Sequence, residues 1–381
     1  MTPYASSLFF YILALVLIPA VILGLCGKNI RYYGLIASLI ILFLVFGNSR
    51  EQTVYLVVFY LLNLSLVKIY CELKKRHDGR WLIWTVVILS LLPLLISKCW
   101  AIFSPTALGF LGISYVTFRA VQVLLEIHDG LIKDISFFDF TYFILFFPTL
   151  SSGPIDRSRR FSGDLHREQS GKQYLETLGE GIYKLLIGIG YKFVIGYCID
   201  SYWLKHIPHH HTFLNTVNYM YAYSFYLFFD FAGYSLIAIG ASYILGVITP
   251  ENFNRPFLSR DFKDFWQRWH MSLSFWFRDF IYTRFVMAAL KKKWFKSKYT
   301  ASYIGYFITF GLMGLWHGTQ YFYLLYGLYH GTLIVLTDLY QRKSNLYKKY
   351  KNNWILISVS VIVTFNLICF GFLIFSGYLF K

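Results

Sequence analysis

Residues 299–337 read YTASYIGYFITFGLMGLWHGTQYFYLLYGLYHGTLIVLT, a stretch without a single Asp, Glu, Lys or Arg. A helix that crosses a bilayer needs about 20 mainly apolar residues, roughly 17–25 in practice. The stretch divides into two such runs, 299–316 and 319–337, folded back on each other as a hairpin. Working outward, further charge-poor apolar runs lie at 4–25, 33–47, 53–67, 81–97, 99–125, 137–151, 182–199, 212–249 and 354–380. Hydrophobic residues make up 57% of the 381 and charged residues 14%, against about 25% charged in soluble globular proteins. With a mean hydropathy of +0.50, no soluble surface can be built. The sequence therefore predicts an all-α multi-spanning membrane protein with about ten or eleven embedded helices, not all of them full crossings. The runs at 33–47, 53–67 and 137–151 are short, and 212–249 is long enough to be bent or doubled.

The remaining charge is lopsided, with 36 Lys and Arg against 19 Asp and Glu, a net +17. A nucleic-acid binder would need a basic polar domain, and none is present. Instead the loops 68–80, 291–298 and 342–351 together carry 15 basic and 2 acidic residues, so +13 of the +17 sits in three short segments. Excess Lys and Arg marks the cytoplasmic side. An outside N-terminus puts all three loops inside and leaves Lys381 outside. The first run has no basic flank and no small-residue cleavage site before Lys28, so it is expected to stay as a span. Arg157, Arg159 and Arg160 also look cytoplasmic, which 137–151 permits only as a re-entrant segment ending near Pro148 and Gly153-Pro154. Irregular backbone at membrane depth must be buried in protein or line a cavity.

Five cysteines, at 26, 71, 99, 198 and 369, lack metal or redox spacing and read as small core residues. His77, His128 and His166 fall in polar loops, where solvation is the plain expectation. His206 and His209-His210-His211 form a cluster, but three adjacent histidines cannot all turn to one tetrahedral ion, so no metal site is assigned. His317 and His330 differ. Each sits in the pattern Gly-Leu-aromatic-His-Gly, at 314–318 and 327–331. The glycines suit close helix packing, while an ionisable group inside the membrane is a functional candidate. A neutral imidazole with its reference pKa of about 6.5 can act as general base.

The segment 261–282, DFKDFWQRWHMSLSFWFRDFIY, places Phe262, Trp266, Trp269, Leu273, Trp276 and Phe280 at helical spacing, with His270 beside that aromatic face. It reads as an amphipathic helix at the membrane interface. Asp230 is the one acid in a long apolar run and is followed by Ala232-Gly233, a natural break. No phosphate loop, dinucleotide fingerprint, zinc-protease helix or nucleophile elbow is present, so nucleotide-driven pumping and zinc proteolysis lack support.

WQRWHMSLSFWFRDFIY at 266–282, followed by GLWHG at 314–318, resembles the membrane-bound O-acyltransferase (MBOAT) superfamily, as does YLFFDFAGYSLIAIGASYILGVITPENFNRPFLSRDF at 226–262. GFLGISYVTFRAVQVLLEIHDG at 109–130 and FFPTLSSGPIDRSRRF at 146–161 are most similar to its branch that attaches D-alanine to the teichoic acids of Gram-positive bacteria. The similarity covers about residues 100–340 and extends towards both ends. It implies one membrane-embedded domain over 1–381, with N-terminal spans to 98, a catalytic core at 99–340, then a cytoplasmic loop and a last span. It further implies a ring of helices around a thin core with a central funnel or tunnel.

By position, His317 corresponds to the catalytic histidine and His270 to a second polar position, whereas His330 takes a structural reading. Trp266, Trp269, Ser272, Trp316 and Asp230 are expected along the substrate tunnel. No cofactor is expected to be bound. D-Alanine would arrive as a thioester on the phosphopantetheine of an acidic carrier protein (DltC-like) and leave towards teichoic acid outside. DltD-like and small DltX-like membrane proteins, and membrane lipids, would be further partners; no nucleic acid is expected. Phe285, Val286, Met287 and Leu290, beside Lys291, Lys292 and Lys293, would dock the carrier. Acetylation of a polysaccharide by the same chemistry, or a channel or flippase without chemistry, are the alternatives.

Overall fold

The computed structural model describes residues 3–76, 79–104, 108–208 and 210–380, and every regular element among them is helical. Both chain ends, which the charge pattern puts outside, lie beyond the described residues, as do His77 and His209. The chain forms two compact units, Met1–Ile189 with Gly233–Pro250 and Gly190–Ala232 with Glu251–Lys381.

The first unit runs through α1 (Ser7–Leu25), α2 (Arg31–Phe46), α3 (Arg50–Arg76), α4 (Arg80–Phe103), α5 (Ile113–His128), α6 (Phe137–Leu145), α7 (Ser158–His166) and α8 (Gly171–Ile189). A π-helical turn at Gly190–Gly196 leads to α9 (Tyr197–Tyr202) and to α10 (Phe213–Ile244), whose second half returns to the first unit. The second unit continues with α11 (Phe262–Trp266), α12 (Met271–Phe277), α13 (Thr283–Lys291), α14 (Lys298–His317), α15 (Tyr321–Lys343), α16 (Asn345–Tyr350) and α17 (Trp354–Phe375). Among the described residues, six helical stretches are long and apolar enough to cross a membrane: Ser7–Leu25, Arg50–Arg76, Trp81–Phe103, Gly171–His206, Phe213–Ile244 and Trp354–Phe375. The hairpin forms as α14 and α15, whose Tyr, Thr, His and Gln dilute the apolar character and leave them outside those six.

The segment after α5 explains the arginines at 157–160. α6 has nine residues, about 14 Å of helix, too short for a crossing. It ends at Phe146, and Pro148 lies in the 3₁₀ turn that follows. Backbone leaving a helix at depth needs internal partners, and buried side chains supply them. Arg119 of α5 donates to the carbonyls of Phe143 (2.7 Å) and Thr149 (2.6 Å), and Gln122 to that of Asp156 (2.7 Å). Ser158 of α7 donates to the Glu126 carboxylate at the end of α5. Lys68 of α3 reaches Asp134 at 3.1 Å. The chain thus leaves α5 and enters α7 on one side, the side of the 68–80 loop.

α10 is continuous across Ala232-Gly233, where the sequence suggested a break. A glycine in a helix costs about 1 kcal/mol, but here it permits close packing. A Cβ on Gly188 of α8 would lie 2.7 Å from the Gly233 carbonyl oxygen, and one on Gly240 would lie 2.6 Å from that of Gly181. α8 and α10 therefore touch backbone to backbone.

Other polar and small residues also depart from expectation. His128 and His166 are not simply solvated: His128 meets the Tyr70 hydroxyl at 2.9 Å, and His166 meets Arg31 at 2.8 Å and Asp139 at 3.1 Å. Of the cysteines, Cys71 and Cys369 are buried, whereas Cys26, Cys99 and Cys198 face outward, where a thiol behaves as one more apolar group.

Candidate active site

The two Gly-Leu-aromatic-His-Gly patterns fall on the α14–α15 hairpin, and their glycines serve one purpose. A Cβ on Gly314 would lie 2.4 Å from the Tyr323 carbonyl oxygen, and one on Gly327 would lie 2.2 Å from that of Phe310. Only glycine lets the two helices approach so closely. The histidines part company. His317 is the last residue of α14, after which Gly318 is extended. Its ring is half-buried, edge-on to Trp316 at 4.7 Å, Phe375 at 5.0 Å and Tyr326 at 6.1 Å. His330 lies inside α15 and is fully buried, with Tyr326 at 4.6 Å, Trp266 at 5.2 Å, Tyr329 at 5.4 Å and Phe265 at 6.2 Å around it. Neither of its ring nitrogens has a hydrogen-bond partner among the described residues.

The 261–282 segment is not the single interfacial helix that its periodicity suggests. Asp261 caps α11, accepting from the backbone N–H groups of Lys263 and Asp264 at 2.9 Å each. The helix then stops after Trp266. His270 adopts a left-handed backbone, φ 43° and ψ 52°, which costs an L-residue roughly 1–2 kcal/mol. The preceding loop holds it there. Met271 donates its N–H to the Asn252 carbonyl at 2.9 Å, and Asn254 donates to that of Arg268 at 2.9 Å. The Asn252 side-chain oxygen accepts from Ser272 N (3.2 Å) and Oγ (2.6 Å). The aromatic face turns into protein, with Phe262, Trp266, Trp269, Leu273, Trp276 and Phe280 all buried.

His270 is itself buried, 3% exposed, with Phe231 edge-on at 4.8 Å. Its Nδ1 lies 3.4 Å from the same Asn252 oxygen. Because an amide oxygen can only accept, Nδ1 carries the hydrogen in this contact and Nε2 of the neutral ring keeps its lone pair. Burial first, and the charge of nearby His317 second, pull the His270 imidazole down to about 3. It is neutral at physiological pH.

Of the other expected tunnel residues, Trp266 lines a cavity of about 190 Å³ with Phe277 of α12 and Tyr306, Phe310 and Met313 of α14. Its indole N–H, buried there, has no hydrogen-bond partner. Trp269 is packed in the core, stacked on Phe265 at 5.7 Å and against Phe372 at 4.7 Å. Ser272 anchors Asn252, and Trp316 stands half-buried beside His317. The Asp230 carboxylate pairs with Lys192 of the π-helical turn, an ion pair between two candidate spans. Sequence reasoning missed both Lys192 and Asn252; Lys192 carried a signal, a basic residue inside the apolar run 182–199, whereas Asn252 sits in the polar loop ENFNR and carried none.

On α13, Met287 and Leu290 are 62% and 44% exposed, next to the exposed Lys291, Lys292 and Lys293. Trp294, 50% exposed, joins that patch. Val286 instead turns towards α14, where a Cβ on Gly305 would lie 3.0 Å from its Cγ2. Phe285 is half-buried, its ring 5.9 Å from Trp294. His211 lies against Tyr378 at 4.6 Å, and among the described residues no three His, Cys, Asp or Glu side chains converge as a metal site.

His317, at the end of α14, and His270, at the break between α11 and α12, are thus the two candidate residues. Residues 69–380 match the model of the membrane-bound O-acyltransferase family, and the chain belongs to that family and is an acyltransferase. Two relatives cover it almost end to end. A teichoic acid D-alanyltransferase of Bacillus subtilis (strain 168) is 45% identical over 99% of this chain and 98% of its own length. One of Lacticaseibacillus rhamnosus is 40% identical over 100% and 98%. A probable alginate O-acetylase of Pseudomonas aeruginosa is 28% identical over 70% of this chain and 48% of its own.

Proposed function

We propose that this protein transfers D-alanine from a carrier-protein thioester to teichoic acid, with His317 as general base. The observation that carries the reading is the near full-length identity to two teichoic acid D-alanyltransferases, set against the partial match to alginate acetylases. Polysaccharide acetylation is the second reading, and family membership supports an enzyme over a channel or flippase.

Neutral His317 removes the proton from an acceptor hydroxyl. The oxygen attacks the thioester carbonyl, the carbon–sulfur bond breaks, and the thiolate takes the proton back from the imidazolium. Proton transfer of this kind contributes roughly 10²–10⁴ in rate, and a dry site keeps water from competing for the thioester. His270, oriented by Asn252, presents Nε2 to the same space. The donor arm enters from the cytoplasm in the plasma membrane, both chain ends lying outside. The carrier, acidic and DltC-like, is steered by Lys291–Lys293 and held by Met287, Leu290 and Trp294. DltD-like and DltX-like membrane proteins take the product onward.

Two experiments test this reading. In cells making His317→Ala at normal level, alkali-labile D-alanine on the wall should fall at least ~100-fold; unchanged ester content rejects the base. Paired Met287→Asp and Leu290→Asp should abolish co-purification of the carrier; undiminished capture rejects the docking surface.

A further inference from the structure

A second polar cavity, of about 580 Å³, lies in the first unit, where the end of α1, the start of α2 and the start of α8 meet. That volume falls within the roughly 300–1,000 Å³ of small-molecule sites. Its walls carry three cations, Lys28, Arg31 and Arg167, and two acids, Asp164 and Glu168. Asp164 is already compensated: it accepts from Arg160 at 2.9 Å and from the Ile248 N–H at 2.8 Å. Arg31 is held by His166 and by its stacking over Tyr32 at 4.8 Å. Lys28 and Arg167 have no ion-pair partner among the described residues, and three cations against Asp164 and Glu168 leave the lining one positive charge in excess.

Packing makes the cavity a fixed feature. Gly171 lies so close to α1 that a Cβ there would fall 2.2 Å from the Leu25 carbonyl oxygen, and Gly27 sits at φ +66°. The Tyr174 hydroxyl donates to the Ile244 carbonyl at 2.8 Å. The rim belongs to the membrane interface. Leu25, at the end of a candidate span, is 47% exposed, and Tyr32 is 58% exposed beside Arg31. Basic pockets between spans on the cytoplasmic side suit anionic lipid head groups, and in the orientation proposed above the α1–α2 turn lies on that side.

We propose that this cavity binds a phosphate-bearing anion, presented by the head group of an acidic phospholipid in the cytoplasmic leaflet. Lys28 and Arg167 supply the charge, Arg31 donates from the wall, and Leu25 and Tyr32 meet the acyl chains. The site is independent of His317 and His270, so its failure would leave the acyl-transfer reading standing.

The test is native mass spectrometry of the full chain in detergent, titrated with phosphatidylglycerol or with phosphatidylcholine, whose choline cancels the phosphate charge. The wild type should retain phosphatidylglycerol in preference to phosphatidylcholine. Lys28→Gln with Arg167→Gln should weaken that retention by roughly thirty-fold, whereas Lys28→Arg with Arg167→Lys should keep it. Equal melting temperatures would establish that all three proteins are folded. Undiminished phosphatidylglycerol binding by the glutamine pair overturns the site. Displacement of the lipid by millimolar inorganic phosphate overturns the lipid assignment; a lipid that stays bound supports it.

Discussion

Gly314–Gly318 and Gly327–Gly331 carry one sequence pattern and do different work. Their first glycines, Gly314 and Gly327, are equivalent, each pressing its helix against a carbonyl of the other. Their histidines are not. His317 ends α14, half-buried with Phe375 edge-on at 5.0 Å. His330 is sealed among aromatic rings with both nitrogens unpartnered. The difference is where the helix ends: α14 stops at His317, whereas α15 runs on through His330 and keeps it inside.

The largest stability effect that sharpens this contrast falls on the sealed histidine. His330→Ala should cost about 3 kcal/mol through the cavity left behind, read as a loss of melting temperature. His330→Phe should stay within ~1 kcal/mol of wild type, since the cage is aromatic and no hydrogen bond is lost. A large loss in the phenylalanine variant would mean that a ring nitrogen has a partner, and the contrast would break. Next come the shared glycines. Gly314→Ala and Gly327→Ala should each cost about 1–3 kcal/mol by overpacking against backbone, and to a similar degree. If only one were destabilised, the hairpin would not be held as described.

The smallest effect concerns pH. The folded pKa of His270, about 3, lies below its unfolded value of about 6.5, so the unfolded chain takes up the proton first. Its contribution is complete above pH ~6.5 and declines as pH falls towards 3, by at most about 1.4 kcal/mol per unit. His270→Gln should flatten the acid limb of a melting-temperature profile in detergent. An identical limb would mean that His270 is not buried neutral.

Part of this was legible in the residues. Charge-poor runs marked the long helices, and Pro148 marked where the short α6 gives way to a turn. Three features were not, for physical reasons. Periodicity made 261–282 one helix, because nothing local reveals that Asn252, from a distant loop, claims Ser272 and Met271. Gly233 looked like a break because its use, contact with Gly188, is tertiary. Val286 shared the apolar character of Met287 and Leu290, but helical phase turns it towards Gly305. His317 and His330 could be separated only by resemblance, since their local sequences are the same in kind.

The most direct test of that separation is single-turnover transfer by the full chain in proteoliposomes, using carrier protein loaded with labelled D-alanine. The account predicts that His317→Gln slows loss of label from the carrier by at least ~100-fold, while His330→Phe stays within about two-fold of wild type, a barrier change of less than ~0.5 kcal/mol. Normal transfer by His317→Gln, or loss confined to His330→Phe, would contradict it.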